Sequence, residues 1–275
     1  MAILHVETVA PPAGEARARL AVLHGIFGRG RNWATWVRRL VATRPGWGGR
    51  LLDLRGHGDS PPGEPPHTVA AAAADVVVTL QADGAAALLG HSFGGKVAAA
   101  AAIRLPGLRQ LWIIDTGLAP RPPGGLAWRL AQWLGAELPD RVPDRATAVA
   151  WLEARGVPRA VAQWFAMNLE RDGEALHWRL DGAVMRALLE DFFRLDGWAL
   201  LAALPPELDV HLVQALDADT WSREDEERAA AAAAAGRLRW HRLPGGHWLN
   251  VDNPLGLLAL VASHLPDPAA RPASR

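Results

Sequence analysis

The sequence predicts an α/β fold: a mostly parallel, doubly wound sheet with a helical segment inserted late in the chain. Three observations carry that prediction. Apolar runs of strand length alternate with helical patterns through residues 1–116, and again through 206–268. Several of the runs, such as Arg19-Leu20-Ala21-Val22-Leu23, are apolar at successive positions, as a strand buried on both faces must be. Between the two stretches, residues 117–205 lose the alternation and read as mostly helical.

Taken in order, residues 3–9 read as a strand, and a Pro/Gly turn follows at 11–14. The strand 19–23 runs into His24-Gly25-Ile26-Phe27-Gly28, then a loop and a helix over 32–40. A strand at 50–54 ends in Arg55-Gly56-His57-Gly58-Asp59-Ser60-Pro61, which reads as a tight structural turn. Thr68 has the chemistry of an N-cap for an Ala/Val-rich helix reaching 81. Strand 86–91, helix 95–105 and strand 110–115 complete the first half. Pro120, Pro122, Pro123, Gly124 and Gly125 form a linker into the insertion, whose helical patterns fall at 126–135, 145–155, 158–170 and 183–194. Six tryptophans lie there (Trp128, Trp133, Trp151, Trp164, Trp178 and Trp198), which suits a cap that walls an apolar pocket and equally suits simple packing onto the core. Alternation resumes with strand 209–215. Ser222 and Asp225 then have the spacing of a capping box for a helix over 223–235. Strand 237–243, the loop Pro244-Gly245-Gly246-His247-Trp248 and a helix over 254–265 follow, and residues 269–275 read as a frayed tail.

Composition narrows the classes of function. Half of the 275 residues are hydrophobic and basic and acidic residues balance at 29 each, which argues for a globular protein and against a nucleic-acid partner. No apolar run has the length of a membrane span, and the first residues lack the pattern of a signal peptide, so a cytoplasmic location is expected. With no cysteine there is no disulfide, thiol nucleophile or thiolate metal site. His5, His67, His91, His177, His211, His241 and His264 show no metal-ligand spacing, so neither a metal nor a cofactor is expected. Lys96 is the only lysine among the 29 basic residues. Chance explains it; the functional reading is that a slimmer cation than arginine is needed there.

The chemistry centres on Gly90-His91-Ser92-Phe93-Gly94, at the end of an apolar strand and the start of a helix. In isolation this pattern also arises as an ordinary glycine turn. At a strand-to-helix junction it describes a nucleophile elbow, which exposes a serine hydroxyl above the sheet. In a doubly wound sheet, functional groups gather at the carboxyl ends of the strands. His24-Gly25, Ser92, Asp115, Asp219 and His247 all sit at such ends.

These motifs resemble the α/β-hydrolase superfamily and, more closely, the YbfF-type bacterial esterases. The resemblance rests on His24-Gly25-Ile26-Phe27-Gly28, Asp53-Leu54-Arg55-Gly56-His57-Gly58-Asp59-Ser60, the elbow with Lys96, Ile114-Asp115, His177-Trp178-Arg179-Leu180 and Gly246-His247-Trp248. It implies the α/β-hydrolase fold with a helical cap at 117–205, and a Ser-His-Asp triad. Ser92 is the nucleophile and His247 its base. Two aspartates compete for the third place. Asp219 follows the strand where this fold usually carries its acid and is slightly favoured, while the closer resemblance points to Asp115; Asp217 is a weaker third choice. The resemblance also implies an oxyanion hole from the backbone amides of Ile26 and Phe93, with His24 bracing that loop. Phe27 and Trp248 are expected to line the substrate pocket.

The expected activity is hydrolysis of a carboxylic ester or thioester with an acyl chain, through an acyl-enzyme on Ser92. Alternatives on the same triad are C–C bond hydrolysis and a lyase step. A non-catalytic ligand-binding protein would be expected to carry a broken triad. The expected partner is a small ester or thioester; oligomeric state is not legible.

Overall fold

Seven strands build the central sheet of the computed structural model, which describes residues 1–81 and 84–268. The strands are β1 (Val6–Val9), β2 (Ala18–Leu23), β3 (Trp47–Leu52), β4 (Ala87–His91), β5 (Gln110–Ile114), then β9 (Asp209–Ala215) and β10 (Arg239–Leu243) after the insertion. Their order is β1-β3-β2-β4-β5-β9-β10, with every pair parallel except β1 against β3. The sheet is thus flanked by α1 (Ala34–Thr43), α2 (Val69–Leu80), α3 (Phe93–Ala102), α9 (Arg223–Ala234), α10 (Leu249–Asp252) and α11 (Pro254–His264).

The successive apolar residues in the strands bury two layers at once. On β2, Leu20 and Val22 pack with Trp36, Val37 and Leu40 of α1 and Leu257 and Val261 of α11. Ala21 and Leu23, on the other face, pack with Val76 of α2 and Val97 of α3. The first strand is shorter than the expected 3–9. The amides of Ala2, Leu4 and His5 donate to Asp75 Oδ1, Thr79 Oγ1 and Ser60 Oγ, so these side chains take backbone donors that a ladder would otherwise use. Thr68 and Ser222 cap α2 and α9 as their chemistry requires, the latter through the Ser222–Asp225 capping box. The expected frayed tail lies outside the described residues.

The segment between β5 and β9 contains α4 (Gly125–Trp133), β6 (Arg141–Val142), α5 (Arg145–Glu153), α6 (Arg159–Phe165), β7 (Leu169–Asp172), β8 (Ala175–Trp178), α7 (Gly182–Arg194) and α8 (Gly197–Ala202). It therefore holds a second sheet, β6-β8-β7, that the helical reading does not include. The expected helix 158–170 stops at Phe165 because Asn168 turns inward, its Nδ2 donating to the Phe165 carbonyl and to Phe27 O in the core. Gly173-Glu174, the two residues between β7 and β8, make the tight hairpin turn, with Gly173 at φ 63° in its first place.

The inserted segment is fastened to loops at the carboxyl ends of the strands. Arg179 Nη2 donates to Gly58 O (2.6 Å) and pairs with Asp59. Val69 N donates to Asp191 of α7. Lys96 on α3 is buried, and its ammonium donates to the carbonyls of Phe192 (2.8 Å) and Leu195 (2.7 Å) at the end of α7, over the Phe192 ring. A lysine suits this site because a compact ammonium reaches two converging helix-end carbonyls. Burial lowers its pKa to about 8.

The Arg55–Ser60 turn is anchored by a fully buried ion pair, Arg55 Nε to Asp75 Oδ2 at 2.7 Å. Removing one partner leaves an uncompensated buried charge. Asp75→Ala is therefore expected to destabilise the fold by about 3 kcal/mol or more, measured by chemical denaturation. A loss below about 1 kcal/mol would show that the pair does not anchor this turn, since that is the range of exposed pairs.

Candidate active site

The elbow forms because β4 delivers the chain into α3 with no intervening loop, so that Ser92 alone must reverse its direction. It does so at φ 53°, ψ −120°, a strained conformation for a residue with a side chain. Gly90 lets this happen, since any Cβ there would overlap the Gly94 carbonyl. Ser92 O accepts from Gly95 N (2.8 Å) and Thr116 Oγ1 (2.9 Å), which tie the turn down. The Ser92 hydroxyl has no hydrogen-bond partner among the described residues.

His247 reaches this place from the loop after β10. Its Nδ1 donates to Asp115 Oδ2 at 2.7 Å. Because a carboxylate can only accept, the proton lies on Nδ1 and Nε2 presents a lone pair. Nε2 has no partner among the described residues. Asp115 is fully buried at the end of β5, at φ 43°. Its Oδ1 accepts from Ala215 N (3.1 Å) and its Oδ2 also accepts from Thr220 Oγ1 (2.8 Å).

The structure places Asp115, not the favoured Asp219, beside the imidazole. The loop after β9 brings Thr220, not its neighbour, to the imidazole, and Asp219 faces solvent with no side-chain hydrogen bond among the described residues. Asp217 is engaged elsewhere, accepting from Gly245 N (2.9 Å) and so bracing the turn that leads to His247. Asp115 occupies the place beside the histidine.

Two residues were not singled out from the sequence. Thr220 orients the Asp115 carboxylate, and its only signal was its position in the loop searched for the acid. His91, the variable residue before Ser92, donates from Nε2 to the His247 carbonyl at 2.8 Å. Its ring lies 4.6 Å from that of His247, and burial, with the neighbouring His247, holds its pKa down at about 3. It is thus a neutral strut under the histidine loop.

The loop after β2 lies alongside the elbow; a Cβ added to Gly25 would sit 3.2 Å from Ser92 Cβ. Two buried histidines hold it. His24 Nδ1 donates to Gly25 O (2.7 Å) while its Nε2 accepts from Leu54 N (3.0 Å). His57 Nδ1 donates to Arg55 O (2.9 Å) while its Nε2 accepts from Phe27 N (3.0 Å). Burial keeps both neutral, with pKa values lowered to about 4 and about 3. Since His57 consumes the Phe27 amide, the amides of Ile26 and Phe93 are left without acceptors among the described residues. Phe93 follows the serine directly, and Ile26 follows Gly25, where the β2 loop approaches Ser92.

The pocket expectation changes for Phe27. Its ring is 2% exposed, packed edge-on against Phe165 at 5.1 Å, because its positive φ of 63° turns the side chain into the inserted segment. Trp248 is half-buried and meets Trp164 of α6 at 5.4 Å, where the insertion approaches the histidine loop.

Fold and elbow together define an α/β-hydrolase: a mostly parallel sheet with a serine on the β4–α3 turn. The chain belongs to the Alpha/beta hydrolase family, whose sequence pattern matches residues 20–260. It is 30% identical over 169 residues to the sn-1-specific diacylglycerol lipase ABHD11 of Mus musculus, covering 59% of this chain and 54% of that one. It is 35% identical over 119 residues to Lipase LipV of Mycobacterium tuberculosis, covering 42% of each. The chain thus spans about half the length of these curated relatives. Among solved structures, a marine microorganism esterase shares the fold with a TM-score of 0.78 over 96% of this chain and 100% of that chain, at 18% identity. No helix among the described residues is long and apolar enough to cross a membrane.

Proposed function

We propose that the protein is a serine hydrolase of carboxylic esters or thioesters, with Ser92, His247 and Asp115 as its triad. The observation that carries this reading is the 2.7 Å bond from His247 Nδ1 to Asp115 Oδ2, which fixes the tautomer whose Nε2 can take a proton from a serine hydroxyl. Ser92 Oγ attacks the acyl carbonyl as His247 Nε2 accepts its proton. The carbonyl oxygen becomes an oxyanion facing the Ile26 and Phe93 amides, each such donor being worth on the order of 3 kcal/mol in the transition state. The imidazolium, stabilised by Asp115, protonates the leaving alkoxide or thiolate. Water then repeats the sequence on the acyl-enzyme and frees the acid.

In this reading residues 117–205 are a cap over the triad. Support comes from the bonds that tie the insertion to the loops at the strand ends, and from Trp164 meeting Trp248 beside His247. Kinship with the YbfF-type esterases is part of the proposal. It is supported by Arg179, which joins the His177–Leu180 motif to the Asp53–Ser60 motif.

The lipase names of the relatives suggest glycerolipid esters as substrates to include. The test is a panel of acyl esters, acyl thioesters and diacylglycerols from acetyl to palmitoyl, read as kcat/KM for the wild-type chain and for His247→Ala. Saturable hydrolysis of at least one class, lost in the variant, is expected. Absence of turnover across the panel, or turnover that survives His247→Ala, would contradict the assignment.

A further inference from the structure

Toward the amino-terminal ends of the strands, away from Ser92 and Asp115, three histidines meet that no short spacing connects. His211 lies on β9, His241 on the neighbouring β10, and His264 ends α11. One ring nitrogen of each lies within 4.8 Å of the other two. We propose that His211, His241 and His264 form a binding site for a divalent transition-metal ion of the zinc class, which ties β9, β10 and the last turn of α11 together.

The hydrogen bonds around the cluster orient the lone pairs. His211 Nε2 donates to Asp209 Oδ2 (3.0 Å), which leaves Nδ1 unprotonated and facing His241 Nε2 at 3.0 Å. A carboxylate behind a ligating imidazole is the usual outer partner of a metal-bound histidine. Asp209 is itself held by Gln110 Nε2 (2.9 Å) and Arg239 Nε (3.0 Å). His264 Nδ1 contacts Leu260 O at 2.9 Å; the carbonyl must accept, so Nε2 keeps its lone pair. Gln110 also donates to His264 O (2.7 Å), which fixes the helix end against the sheet. Trp112 stacks on the His211 ring at 3.8 Å and limits its rotation.

Ligating imidazoles must each present a lone pair, as the hydrogen bonds above arrange for His211 and His264. Binding needs no net loss of a proton. The metal replaces the hydrogen on His241 Nε2, and His241 carries that hydrogen on Nδ1 instead. Nitrogens at about 2.0–2.1 Å from a tetrahedral ion lie roughly 3.3 Å apart. The His211–His241 pair is already near that value, and the half-buried His264 has to move by about an ångström and a half at most. Three imidazoles suit zinc, cobalt, nickel or copper; calcium and magnesium prefer oxygen donors. The site touches none of the reacting groups, so its ion would be structural.

The test uses tag-free protein treated with a chelator, titrated with Co²⁺ by visible absorption and with Zn²⁺ by calorimetry, alongside thermal melts. We expect one equivalent bound, Co²⁺ bands of an imidazole site, and a Tm several degrees higher with Zn²⁺. His264→Gln and His241→Gln should each weaken binding at least 100-fold, while metal-free Tm changes by only a few degrees and ester turnover by less than twofold. Less than one equivalent bound, or unchanged affinity in both variants, would overturn the proposal.

Discussion

Ser92→Ala is expected to lower kcat by on the order of 10⁶, or to the background of the assay. The size follows from the role: without Oγ no acyl-enzyme can form, and the free Nε2 of His247 has no hydroxyl to activate. His247→Ala should cost about as much alone, and the double variant little more, since the two act as one unit. Stability is a separate matter. The Ser92 hydroxyl makes no hydrogen bond among the described residues, and alanine meets the same backbone conformation. The melting temperature should therefore move by no more than a few degrees. Retained turnover in a folded Ser92→Ala protein would remove the elbow from the mechanism.

The second large effect separates the two aspartates. Asp115→Asn should lower kcat by on the order of 10⁴, the loss expected when a triad acid becomes an amide. Asparagine can still accept from Ala215 N, so the strand end keeps a partner. Its amide group, however, favours the His247 tautomer with the hydrogen on Nε2, and such an imidazole cannot act as base. Asp219→Asn should change kcat by less than twofold, because that side chain faces solvent. Comparable losses in the two variants, measured on the same substrate, would reject the assignment to Asp115.

The structure sets Asp115, and not the favoured Asp219, beside His247 for a specific reason. Sequence order locates a loop, but not which of its neighbouring side chains turns inward. The loop after β9 does reach the histidine, and it delivers a hydroxyl, Thr220, to a carboxylate that β5 supplies. The inner strands β2, β4 and β5 were legible because two-sided burial leaves nearly unbroken apolar runs. The turn at Ser92 and the loop carrying His247 were legible because their glycine-rich stretches are unusual in composition. The β6-β8-β7 ladder was not, because its strands are two to four residues long and lie among strong helical patterns. His91 was hidden by standing at a position where the elbow pattern allows any residue. The His211, His241 and His264 cluster was hidden because strand pairing and a helix end, not a local motif, bring it together.

Labelling with a fluorophosphonate probe, followed by peptide mass spectrometry, tests the central claim without any choice of substrate. We predict one phosphonylated residue, Ser92, with the adduct lost in His247→Ala and strongly slowed in Asp115→Asn. A folded protein that is not labelled at Ser92, or that is labelled equally well without His247, would contradict an activated serine at the elbow.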